Sequence, residues 1–200
     1  MADWIEEITS SVKGHRAFFE LLFTYLEPKT IVELGVDYGY TTFVFSNALK
    51  TNSLYKSTVY GIDWFQGDIS TGFRDTKEFV DNKIQEQSIH NIQIIKGDFN
   101  EIVKAWNRDI DILFIDGSHD YESVKSDFEK WSKFVNEDEG LLLFHDIAVE
   151  EFGVKQFYDE IDGYYKLEFN HSAGLGVITK DYELFEHLQK IAVILKRIYR

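Results

Sequence analysis

The sequence contains no cysteine and a single proline, Pro28, among its 200 residues. Without cysteine there can be no disulfide and no thiolate metal site. Basic residues are scarce as well: 21 Lys and Arg face 35 Asp and Glu, for a formal net charge of −14. A nucleic-acid backbone requires a basic face, so the charge argues against nucleic acid as a partner. An acidic pocket is compatible with a metal ion or a positively charged cofactor. No apolar run approaches the ~20 residues of a membrane span, so no membrane partner is expected. The segment Met1 to Glu7 lacks the basic and apolar regions of a signal peptide. A soluble cytoplasmic protein is the expectation.

What is abundant is apolar and aromatic: 44% of residues are hydrophobic, with 17 Phe, 11 Tyr and 4 Trp. That suffices for one domain over residues 1–200, burying roughly 70% of the unfolded chain's surface. Apolar spacing from Trp4 to Leu26 predicts helices within 3–27, divided near Gly14 and closed by Pro28. A core over 28–180 follows, then an amphipathic helix within 181–199. Inside the core, Thr30–Leu34, Thr58–Ile62, Asn91–Lys96, Ile110–Ile115 and Leu141–Phe144 read as buried strands separated by helical stretches. Two later strands, near 164–169 and 175–179, have no substantial helix between them and predict an antiparallel closing hairpin. The fold expectation is α/β: a Rossmann-like three-layer sandwich on a mostly parallel seven-stranded sheet.

The five strands end at Gly35, Asp63, Asp98, Asp116 and His145-Asp146. Open α/β sheets bind ligands at the carboxyl ends of their strands. Crowded acids there are costly unless a cation or hydrogen-bond donors sit among them. Taken singly, each has a plain structural reading. Asp98 can cap the next helix, with Glu101 completing a capping box. Ser118 can cap the helix expected over His119 to Val135, leaving His119 solvated. Trp64 and Phe65 can be core packing. Taken together, the set favours a functional pocket. His15, His90, His171 and His187 are expected to be structural or solvated, although His171, just before the last strand, could face the pocket.

Glu33-Leu34-Gly35-Val36-Asp37-Tyr38-Gly39-Tyr40-Thr41-Thr42 joins a strand to a helix through glycines four apart, bringing backbone N–H groups beside a ligand. Asp37 stands where a dinucleotide fingerprint has its second glycine. That disfavours a nucleotide-cofactor oxidoreductase of the NAD type. Glu33 suits an amine or a positive charge.

With these residues the chain resembles class I S-adenosylmethionine-dependent methyltransferases over residues 28 to 180. Glu33-x-Gly35-x-x-x-Gly39 resembles the first family motif, next to the cofactor's methionine part; Thr41 falls in the same loop. Asp63 matches the acid that holds the ribose hydroxyls, with Trp64 beside it. Gly97-Asp98-Phe99 resembles the third motif, whose aspartate lies by the adenine. The closer likeness is to metal-dependent O-methyltransferases of small molecules and sugars, of the macrocin and catechol types. It implies a divalent cation, Mg or Mn, on Asp116, His145 and Asp146, with His119 as general base and Asp116 also beside the cofactor. The implied acceptor is a hydroxyl of a small molecule or sugar. His145 departs from the pattern, because the family's ligand pair at this position usually supplies two oxygens. A non-catalytic S-adenosylmethionine-binding domain is the other alternative. The terminal helices carry apolar surface sufficient for a homodimer.

Overall fold

Strands buried on both faces need apolar side chains at every position, and the central strands have them. The computed structural model describes residues 3–68 and 72–198. Its strands are β1 (Thr30–Leu34), β2 (Thr58–Asp63), the separate hairpin pair β3 (Gly67–Asp68) and β4 (Gly72–Phe73), β5 (Ile92–Lys96), β6 (Ile112–Ile115) and β7 (Leu141–His145). Two more follow, β8 (Tyr165–Phe169) and β9 (Leu175–Thr179). Seven form one sheet in the order β5-β2-β1-β6-β7-β9-β8. The first five run parallel, while β9 pairs antiparallel with both β7 and β8. The Rossmann-like mixed sheet expected from the sequence is therefore present, with β9 slotted between β7 and β8.

Successive side chains in a strand point to opposite faces. Ile31, Ile112, Phe114, Leu141 and Leu143 enter one apolar layer, and Val32, Leu34, Leu113, Leu142 and Phe144 the other. The first layer is covered by α1 (Arg16–Leu22), α2 (Tyr40–Thr51), α3 (Lys77–Glu86) and α7 (Tyr182–Ile198). The second is covered by α5 (Tyr121–Trp131) and α6 (Val154–Glu160), with the short α4 (Phe99–Ile102) beside them. Trp131 is fully buried there.

Several boundaries differ from the sequence expectation. Before α1 the chain makes two 3₁₀ turns, Trp4–Glu7 and Ser11–His15, so Gly14 lies inside a turn rather than between two α-helices. The two-residue strands β3 and β4 are too short for any periodicity to reveal. The helix after β6 starts at Tyr121, because Asp120 rather than Ser118 caps it: its carboxylate accepts from the Ser123 N–H at 3.0 Å. The last helix is described to Ile198, and the expected final residue, Tyr199, lies outside the described residues. Most of its apolar stripe (Leu184, Leu188, Ile191, Ala192, Leu195) is buried within the chain, while Val193 and Ile194 stay exposed. Among the described residues no helix is long and apolar enough to cross a membrane.

Candidate active site

The carboxyl ends of β1, β2, β5, β6 and β7 open into a cavity of about 960 Å³. That is the upper end of the range for small-molecule and cofactor sites. Glu33, Gly35, Thr41, Asp63, Trp64, Asp98, Phe99, Asp116, His119 and Asp146 all line it. Gly39 and His145, also expected in the site, do not belong to its wall.

The loop from β1 to α2 is held by carboxylates. Asp63 Oδ2 accepts from the N–H groups of Val36 and Asp37 at 2.8 and 2.9 Å, and its Oδ1 accepts from Phe65 at 2.6 Å. Its expected task was ribose binding, but most of its acceptor capacity already serves the backbone. Asp37 has a left-handed φ of 47° and forms a two-pronged pair with Arg74, at 3.1 and 2.7 Å. Gly35 is required where it stands: its φ is 98°, and a Cβ there would lie 2.0 Å from the Asp116 carbonyl oxygen. Gly39 acts as the N-cap of α2 with φ 81°. Glu33 is buried and accepts from the Thr42 hydroxyl. Burial raises its carboxyl well above the usual range, opposed by the Thr42 hydrogen bond and reinforced by the charges of Asp116 and Asp63.

At the ends of β6 and β7 the acids meet histidines instead. His119 Nε2 lies 2.9 Å from Asp146 Oδ2, and its ring stacks on Phe152 with centroids 4.3 Å apart and planes 7° from parallel. His145 Nδ1 lies 3.1 Å from Asp116 Oδ1 and 3.2 Å from Asp146 Oδ2, while its Nε2 lies 3.0 Å from the Ser172 carbonyl oxygen. A carbonyl can only accept, so Nε2 carries a proton; two carboxylates at Nδ1 call for a second proton there. Burial alone would lower the His145 pKa, but Asp116 beside it and hydrogen bonds to Asp116 and Asp146 raise it to about 10. Burial alone would likewise raise Asp146, but hydrogen bonds from His119 and His145 hold it down at about 2. Burial pushes Asp116 up, with the His145 charge opposing.

The geometry does not bring the whole expected metal set onto the cavity wall. His145 is 2% exposed, presents both ring nitrogens to protein acceptors and does not line the cavity. It follows the strand alternation onto the α1 face, whereas Asp146, with a left-handed φ of 64°, turns back into the cavity. The convergent donors are Asp116, His119 and Asp146, whose ligand atoms all lie within 4.8 Å of one another. Two carboxylates and one imidazole on one side of a cavity form a donor set that suits a divalent transition ion such as Mn²⁺ better than Mg²⁺. Behind them, His171 donates from Nε2 to the Gly14 carbonyl at 3.1 Å and packs 4.5 Å from the His15 ring. It supports the site from behind and does not line the cavity.

Asp98 lines the cavity and also has a structural role. It is exposed, and its carboxylate caps α4 by accepting from Asn100 N–H at 2.7 Å. Glu101 does not close a capping box; it pairs with Lys104 at 2.6 Å. One buried acid of the cavity went unnoticed in the sequence. Asp127 shares the buried face of α5 with Val124 and Trp131, and the signal was an acid at an apolar position of the helical repeat.

Comparison with known proteins agrees with this architecture. Residues 32–147, more than half of the chain, match a family model described as a methyltransferase domain. A methyltransferase from Geobacter sulfurreducens superposes with a TM-score of 0.64 at 19% identity, over 86% of this chain and 80% of that one. The O-methyltransferase TomG of tomaymycin synthesis in Streptomyces achromogenes, solved with S-adenosylmethionine, gives 0.62 at 13% identity over 90% and 91%. The uncharacterized protein y4gI of Sinorhizobium fredii is 31% identical over 185 residues, which are 89% of this chain. The chain spans 20% of the length of that curated relative. With the family match running from β1 through β7, the chain belongs to the methyltransferase-domain family.

Proposed function

We propose that the protein transfers a methyl group from S-adenosylmethionine to a hydroxyl of a small molecule or sugar. The observation that carries this reading is the convergence of Asp116, His119 and Asp146 in the cavity whose facing wall is the Glu33–Thr42 loop. Supporting it, that wall offers a buried carboxyl, Glu33, for the positive end of the cofactor. The acids around it favour a sulfonium over a neutral ligand. The NAD-type alternative is opposed by the carboxylate of Asp37, which is fixed in the glycine loop by Arg74.

Methyl transfer is an in-line displacement. The acceptor oxygen forms the new O–CH₃ bond while the S–CH₃ bond breaks, sulfur keeps the electron pair, and the hydroxyl proton must leave. Alignment of oxygen, methyl and sulfur supplies much of the acceleration. His119 Nε2 donates to Asp146, and stacking on Phe152 fixes the ring plane. As general base, His119 takes the proton and Asp146 stabilises the resulting charge. A divalent cation held by Asp116, His119 and Asp146 would instead supply a lowered hydroxyl pKa. The two roles of His119 exclude each other, since a ligated imidazole is not a base.

The test is binding of S-adenosylhomocysteine by calorimetry, followed by turnover on a panel of sugar and phenol acceptors with and without chelator. Expected are micromolar binding and turnover that Asp116→Asn abolishes. Loss of turnover on chelation assigns a metal-assisted reaction, and indifference to chelator assigns a metal-free one with His119 as the base. Binding of NAD(H) but not S-adenosylhomocysteine would overturn the reading. Binding without turnover on any acceptor would favour a sensor or subunit role.

A further inference from the structure

His145 takes no part in the cavity wall, yet it touches two of the three groups that converge there. The sheet itself brings it to them. β6 and β7 run parallel with Ile115 beside Phe144, so one residue further on Asp116 stands beside His145. Ile115 and Phe144 belong to one apolar layer, and by strand alternation Asp116 and His145 share the opposite face. Asp146 reaches the same spot through its left-handed turn. His145 Nδ1 then lies 3.1 Å from Asp116 Oδ1 and 3.2 Å from Asp146 Oδ2, one N–H shared between two carboxylates.

Ionised carboxylates held this close repel one another, and a shared donor lets them stay together. Here the donor comes from behind the cavity. It engages one oxygen of each acid, and the other oxygens, Asp116 Oδ2 and Asp146 Oδ1, accept no hydrogen bond among the described residues. The bracket is itself immobile. The His145 side chain is 1% exposed, the Phe114 and His15 rings pack around it at 6.5 and 6.1 Å, and Nε2 donates to the Ser172 carbonyl oxygen at 3.0 Å. A side chain on a strand end, with no room to swing, can hold its neighbours to a fixed geometry.

We propose that His145 is a positioning residue, whose Nδ1–H brackets Asp116 and Asp146 and sets the spacing at which, with His119, they face the acceptor. This rests on the reading of Asp116, His119 and Asp146 as the reacting groups. The residue type fits the task. An imidazole carries a donor at each end of a rigid ring, so it spans from the Ser172 carbonyl to the carboxylates, which the shorter side chain of Asp or Asn does not. Spacing matters because a misplacement of about 1 Å in a reacting geometry costs about a hundredfold in rate.

The two ring nitrogens can be tested apart. The amide nitrogen of Asn falls near the imidazole Nδ1 and that of Gln near Nε2, so His145→Asn keeps the bracket and gives up Ser172, while His145→Gln does the reverse. Crystal structures of the wild type and both variants read the separation of the Asp116 and Asp146 carboxylates. Turnover on the sugar and phenol panel and calorimetry with S-adenosylhomocysteine read the consequence. The carboxylates should keep their spacing in His145→Asn and part by about 1 Å or more in His145→Gln. In step with this, kcat should fall about a hundredfold in His145→Gln and less than about tenfold in His145→Asn, with acceptor KM and S-adenosylhomocysteine affinity within a few-fold. Melting curves verify that each variant is folded. Spacing and kcat unmoved in both variants, with only the melting temperatures lowered, overturns the proposal. So does the opposite order, which moves the role to the Ser172 bond. Where the wild type binds S-adenosylhomocysteine but turns over no acceptor, the spacing decides: parting in His145→Gln alone supports the bracket, and parting in neither or in both overturns it. A wild type that binds no S-adenosylhomocysteine overturns the cofactor reading, and the positioning role with it, whatever the spacing shows.

Discussion

The two halves of the cavity use the same residue type for different ends. On the β1–β2 side, carboxylates face backbone N–H groups, a hydroxyl and an arginine. On the β6–β7 side they face histidines. Backbone amides do not titrate, so the N–H groups that answer Asp63 hold a loop in shape without exchanging protons. The His119 imidazole, which faces the cavity, is a group able to accept or donate a proton, so the second side can take part in chemistry. An acid at a strand end is therefore read by what answers it, and only the structure supplies that partner.

Substitutions can sharpen this contrast. The largest effect is expected on the histidine side: Asp116→Asn or His119→Ala should lower kcat by roughly 10²–10⁴-fold, the range of acid–base contributions. S-adenosylhomocysteine affinity should stay within a few-fold by calorimetry. Loss of affinity in parallel with kcat would erase the distinction between the halves. Next, Asp63→Ala removes the acceptor of three backbone N–H groups, and stability should fall by about 2–3 kcal/mol in denaturant titration. Its cofactor affinity should fall with it, while kcat at saturation holds.

A smaller effect comes from behind the histidine side. Burial, with the charges of His171 and His145 adding to it, lowers His15 to about 3. Its folded pKa thus lies below its unfolded value near 6.5, so the unfolded chain binds the extra proton. Stability is intact above pH 6.5 and is lost as pH falls from 6.5 toward 3. The limiting slope is about 1.4 kcal/mol per pH unit. His15→Gln should flatten that part of the stability–pH curve; an unchanged slope would mean that His15 is not buried neutral. The smallest effect belongs to Glu33. Its raised pKa means that a cationic cofactor should displace a proton on binding, visible as a dependence of binding heat on buffer ionisation enthalpy. Glu33→Gln should abolish that dependence.

How much was legible beforehand follows the same division. The central strands were, because five apolar runs each ended in glycine or acid. The edge where they converge was legible for the same reason. The capping residue was not, since Ser118 and Asp120 are both good caps and only the backbone path decides that Asp120 reaches Ser123. Nor was the choice between His145 and His119. Neighbours in a strand face opposite ways, and the left-handed turn at Asp146 sends that residue into the cavity and leaves His145 behind it. Asp127 was concealed by position, being an acid on the apolar face of α5.

The carbonyl oxygen of Ser172 accepts from His145 Nε2 at 3.0 Å and from His15 Nε2 at 3.3 Å. One atom thus ties the first 3₁₀ segments of the chain to the pair of carboxylates around which the reacting groups gather. It sits in a run of left-handed residues, Ser172, Ala173 and Gly174, whose shape leaves little freedom to follow one partner without moving the other. The Ser11–His15 turn and the Asp116–Asp146 pair are thus joined, from outside the cavity, through a single peptide group.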